Sequence, residues 1–86
     1  MLCLKDFGGF VVLAFVLCIV EPGYETQVLK AVRDLDEIRE AFVVYGDYDI
    51  HIKIEVENLS ELGEFNKTLR NLNGIMMTKT LIATIF

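Results

Sequence analysis

In 86 residues the chain has no tryptophan, one proline, two cysteines and one histidine. Two cysteines without a CxxC pair, and a histidine with no ligand cluster around it, exclude a metal framework of the usual spacing. Cys18 lies inside an apolar run and reads as a buried free thiol; a disulfide to Cys3 is the weaker alternative. Basic residues are scarce as well: eight Lys and Arg against thirteen Asp and Glu give a net charge of −5. Phosphate binding needs clustered Lys and Arg, so direct contact with nucleic acid is not expected. The apolar run Phe10–Val20 falls short of the ~18–20 residues that span a bilayer. Lys5 ahead of it imitates a signal peptide, yet no small-x-small cleavage site follows and helical pattern resumes at once. A cytoplasmic chain without membrane contact is expected.

What the chain does have is apolar surface. It is 53% hydrophobic with a mean hydropathy of +0.45. A domain of this size buries only about 60–65% of its unfolded surface. The surplus predicts burial between subunits, because monomers rarely expose large apolar patches.

The pattern along the chain predicts six elements. Phe10–Val20, apolar on both faces, predicts a central strand covered on both sides. Glu21-Pro22-Gly23 breaks it, and Pro22 is placed to open a helix. Tyr24, Val28, Ala31, Val32 and Leu35 then recur at helical spacing. Ile38–Tyr45 is β-branched and aromatic without Gly or Pro, and predicts a second strand. Ile50, Ile52, Ile54 and Val56 alternate with Asp49, His51, Lys53 and Glu55, giving a third strand with one polar face. Asn58 and Glu61 form a capping box for a second helix with the stripe Leu62, Phe65, Leu69 and Leu72. Gly63 inside that helix is a local weakness without an evident reason. Asn73-Gly74 ends it, and Ile75–Phe86 predicts a long last strand. The order β-α-β-β-α-β with right-handed crossovers predicts an α+β, ferredoxin-like sandwich with both helices on one face of the sheet. The other face needs a partner sheet, so a dimer is expected. Met1–Gly9 stands outside the pattern as an N-terminal extension, and residues 10–86 form the domain.

Little of the sequence suits catalysis. His51 lies on a polar strand face with no Ser or Cys paired to it, and the turn after the first strand has neither the arginine of acylphosphatases nor the CxxC of metal chaperones. No cofactor or metal is expected. Two features are richer than the fold requires. Gly46-Asp47 alone could close a hairpin, yet the turn carries Gly46, Asp47, Tyr48 and Asp49. Thr78 and Thr80, at i and i+2, put two hydroxyls on one face of the last strand. A free amino acid needs acceptors for its ammonium and donors for its carboxylate. Asp47 or Asp49 offers the first, the alternative for Asp49 being to serve the fold by accepting backbone N–H bonds that hold the turn; the backbone of the Gly46 turn and the two threonines offer the second.

Val12–Leu17 followed by Glu21-Pro22-Gly23, then Glu40-Ala41, Val44–Asp49, Asn73-Gly74-Ile75 and Thr78-Lys79-Thr80, resembles the effector-binding (RAM) domain of the Lrp/AsnC transcription regulators. The resemblance covers about residues 10 to 86. It implies a dimer packed sheet to sheet, of the dimeric α+β barrel type, and rings of dimers such as octamers. It also implies small effectors, mainly amino acids, in clefts between dimers. Effector contacts would fall on Gly46, Asp47, Tyr48, Asp49, Thr78 and Thr80. Full-length members of the family begin with a basic helix-turn-helix domain, so the chain resembles the stand-alone RAM type and is expected to reach DNA only through a full-length Lrp/AsnC regulator. The expected function is a non-enzymatic amino-acid sensor and oligomerisation module. The alternative is a small dimeric α+β barrel enzyme acting on a small metabolite.

Overall fold

The computed structural model describes residues 12–83. The expected boundary after Gly9, the start of the first strand at Phe10, Cys3, and the last residues of the chain lie outside them. The elements are β1 (Val12–Val20), α1 (Glu25–Arg33), β2 (Ile38–Val43), β3 (Ile50–Val56), α2 (Leu59–Arg70) and β4 (Ile75–Ala83). All neighbours in the sheet are antiparallel, in the order β2-β3-β1-β4. This is the predicted βαββαβ sandwich.

The period of two in β1 and β3 decides which side is the core. Ala14, Val16, Cys18 and Val20 pack with Ile50, Ile52, Ile54 and Val56 beneath Val28 and Val32 of α1 and Leu62, Phe65 and Leu69 of α2. Alternate residues point away from the helices. On that open face Leu13, Phe15 and Leu17 of β1 stand beside Leu81 and Lys79 of β4 and opposite Glu55, Lys53 and His51 of β3. The open face is therefore apolar along β1 and around Leu81 of β4, and charged along β3 and at Lys79. His51 meets the edge of Phe15, the ring centroids 5.7 Å apart, so this imidazole belongs to the sheet surface.

Local chemistry places the helix ends. Asn58 Oδ1 accepts from the Glu61 amide at 2.8 Å and caps α2. The Glu61 carboxylate reaches back to the Glu57 amide at 3.0 Å, one residue beyond the reciprocal partner a capping box predicts. α2 ends at Arg70 rather than at Asn73; Gly74 takes the left-handed conformation (φ +101°) in the connection to β4. A side chain at Gly74 would strike the Tyr24 ring 2.6 Å away, so glycine is required there twice over. Pro22 does not open α1. It lies in the preceding turn, and α1 begins after Tyr24.

Candidate ligand-binding site

The turn between β2 and β3 is longer than a two-residue hairpin. β2 stops at Val43 and β3 starts at Ile50, and the Val44 amide closes the loop on the Asp49 carbonyl at 2.8 Å. Only Gly46 takes a positive φ (+135°), with open space where a Cβ would lie; Asp47 does not share it. The two aspartates have different surroundings. Asp49 is half-buried: its amide donates to the Cys18 carbonyl at 2.8 Å, and its Oδ2 accepts from the Val20 amide at 2.9 Å. It continues the β1 ladder past the last regular pair and fastens the loop to the sheet. Asp47 is exposed at the tip, with no hydrogen bond or ion pair among the described residues. Tyr48 between them is half-buried.

Thr78 and Thr80 lie in register with Cys18 and Val16, which point into the core, so both hydroxyls are on the helix side of β4. β4 is an edge strand, and the helices shield its helix side only partly. Thr80 Oγ1 donates to Asn66 Oδ1 of α2 at 3.3 Å, a residue that no pattern in the sequence marks. Ile82, next along the same face, is 56% exposed, and Met76, the extra residue of the bulge where β4 slips against β1, is 64% exposed. The threonine pair thus sits between two uncovered apolar side chains.

The structure brings Gly46–Asp49 and Thr78/Thr80 to one end of the sheet but not into contact. Thr78 and Ile50 both pair with Cys18, from opposite sides. Two strand spacings, about 10 Å, separate them, and the loop tip lies farther out. The ammonium and carboxylate of one amino acid are only a few ångströms apart, too close to bridge the turn and the threonines of a single chain. A shallow groove at the outer edge of β2, lined by Arg33, Arg39 and Phe42 among others, includes none of these residues. Arg33 there donates to the Ala41 carbonyl at 2.8 Å and holds the β2 edge to α1.

Residues 13–84 match the family model described as the Lrp/AsnC ligand binding domain. The transcriptional regulator FL11 of Pyrococcus abyssi is 34% identical over 74 residues, which are 86% of this chain and 49% of that regulator. The chain spans about half the length of that curated relative. Among solved structures, the hypothetical protein PHS023 of Pyrococcus horikoshii is 37% identical with a TM-score of 0.81, covering 87% of this chain and 92% of that one. AsnC of E. coli is 26% identical with a TM-score of 0.80, covering 87% of this chain and 52% of that one.

Proposed function

This chain belongs to the Lrp/AsnC ligand-binding domain family, and from that premise we propose that it is a non-enzymatic module that binds a small amino-acid effector and assembles through it. The observation that carries this reading is the placement of Thr78 and Thr80: two hydroxyls on a partly uncovered edge strand, flanked by Ile82 and Met76 and out of reach of their own chain's Gly46–Asp49 turn. A cleft that uses both features is completed by a second subunit. In it the exposed Asp47 of one chain takes the ligand ammonium, Gly46 and Tyr48 shape the turn, Asp49 anchors it, and the threonines of another chain close the other side.

The same surfaces support an assembly larger than a dimer. The apolar part of the open sheet face, around Leu13, Phe15, Leu17 and Leu81, suits a sheet-to-sheet dimer. Ile82 lies on the opposite side of the sheet and Leu59, 62% exposed, at the same end of the molecule; a sheet-to-sheet partner leaves both uncovered. A second contact between dimers covers them and leads to a ring. The curated relative is a transcriptional regulator, and the partner we propose for this module is a full-length regulator of the same family in the cytoplasm, which supplies the DNA contacts.

A thermal-shift series over the twenty amino acids, with the assembly mass measured by light scattering for each ligand that stabilises, tests this. A ligand that binds two dimers at once stabilises the assembly that holds them together, so a shift accompanied by a rise in mass is expected. No stabilisation by any amino acid would overturn the effector reading, and a monomer at micromolar concentration would overturn the assembly.

A further inference from the structure

The outer flank of α2 beside β4 carries chemistry that neither the fold nor the expected effector contacts use. Gly63, Asn66 and Arg70 recur at i, i+3 and i+7 and form one stripe along the helix. The stripe borders the buried Leu62, Phe65 and Leu69 on the side of β4, since Asn66 is the residue that meets Thr80. α2 runs antiparallel to β4 after the short connection 71–74. Four residues of helix from Asn66 to Arg70 advance about 6 Å, and two residues of strand from Thr80 back to Thr78 cover about 6.6 Å. Arg70 therefore comes level with Thr78, as Asn66 does with Thr80. Arg70 is exposed and has no ion pair among the described residues, while nearby Lys67 pairs with Glu64. A Cβ at Gly63 would meet nothing within 4 Å, so the stripe begins with an open notch at a position where glycine is a poor helix former.

The groups on this stripe are donors. Thr80 gives its hydroxyl hydrogen to Asn66 Oδ1, which leaves both N–H groups of the Asn66 amide for another acceptor. Arg70 adds a fixed positive charge and a planar fork of N–H groups that matches a carboxylate. The hydroxyl of Thr78 lies between. In a chain of net charge −5, this is a local concentration of hydrogen-bond donors beside a positive charge.

We infer that the Gly63–Asn66–Arg70 flank of α2 is the carboxylate-binding wall of the Thr78/Thr80 cleft. Arg70 and the Asn66 amide take the ligand's carboxylate, and the open space at Gly63, one turn away, leaves Asn66 accessible. This rests on the ligand cleft proposed above and assigns its anionic end. The competing role for Arg70 is to offset the negative end of the α2 dipole, which involves no ligand.

The test compares an amino acid with its own α-amide, which keeps the ammonium and side chain but loses the negative charge. Calorimetric titration uses the L-amino acid that gives the largest thermal shift. Wild-type protein is expected to prefer the acid roughly ten- to hundred-fold, the scale of one charge-assisted hydrogen bond. Arg70→Gln and Asn66→Asp should lose that preference while keeping the amide's affinity; Asn66→Asp retains an acceptor for Thr80. Thr80→Val should weaken acid and amide alike. Equal losses for both ligands in Arg70→Gln and Asn66→Asp would mean a structural role and overturn the wall, as would an unchanged preference for the acid. Binding of neither ligand by the wild type overturns the cleft itself, and the wall with it.

Discussion

Asp49 and Cys18 show what a single residue does in this fold. The Asp49 carboxylate accepts from Val20, 29 residues earlier in the chain. Asp49→Ala should lower stability by about 1–3 kcal/mol, because the half-buried Val20 amide loses its acceptor, whereas Asp47→Ala should leave stability within about 0.5 kcal/mol. Urea midpoints of the two variants check the contrast. Both aspartates were visible in the sequence as surplus chemistry in a turn, and a fold-serving role for Asp49 was one of its readings; that the amide it accepts from is Val20 was not, since that partner lies on another strand. Burial pushes the Cys18 thiol from 9.0 up to about 12. The unfolded chain ionises near the ordinary value while the folded chain keeps its proton. Stability is therefore undiminished below about pH 9 and falls as the pH rises toward about 12, by up to about 1.4 kcal/mol per pH unit from this group. Cys18→Ala should flatten that part of the pH profile relative to wild type, measured by the same denaturation.

At the scale of elements, β3 and the two helices were legible because each has a one-sided or alternating apolar pattern that only one period fits, and β1 because it is a short run apolar on both faces. β3 is the clearest case, and its four inward residues are all core. The connections were less legible. The β2–β3 loop exceeds a two-residue turn, closing from Val44 to Asp49 while Asp49 is tied to Cys18 and Val20 of β1, and Pro22 stays outside α1 because the chain turns once more before Tyr24. Gly74 was marked as ending the second helix, but the tyrosine pressed against it was not, since nothing in the local sequence records a contact across 50 residues. Gly74→Ala should cost well over about 1 kcal/mol, combining a positive φ with a clash that Tyr24 must absorb. Gly63→Ala, with open space and helical backbone, should gain roughly 0.5–1 kcal/mol. Thermal melts of the pair would show opposite signs.

For the whole molecule, the composition already pointed to surface shared between subunits, because one small core cannot hide so much apolar area. It could not say that the surplus is divided between two sides of the sheet, which depends on the register of β4 against β1. That division makes assembly separable. Leu17→Lys, on the open face, should reduce the protein to a species below the dimer, while Ile82→Lys, on the helix side, should leave dimers and abolish anything larger. Light scattering of the two variants decides it, and identical masses would mean that the sheet has only one contact surface.

β4 also determines how these surfaces communicate. Along this strand Thr78 and Thr80 alternate with Met77, Lys79 and Leu81, so each residue facing the proposed cleft is one peptide unit from a residue facing the opposite side of the sheet. In the proposed assembly, a ligand that fixed the threonines would fix the pleat on which the proposed dimer contact is built, across the thickness of a single backbone. The two proposed equilibria would then be reciprocal: whatever factor an effector added to dimer affinity, dimer formation would add to effector affinity. No moving domain and no relay of side chains is needed for such coupling, and a substitution anywhere in β4 would be expected to register in both.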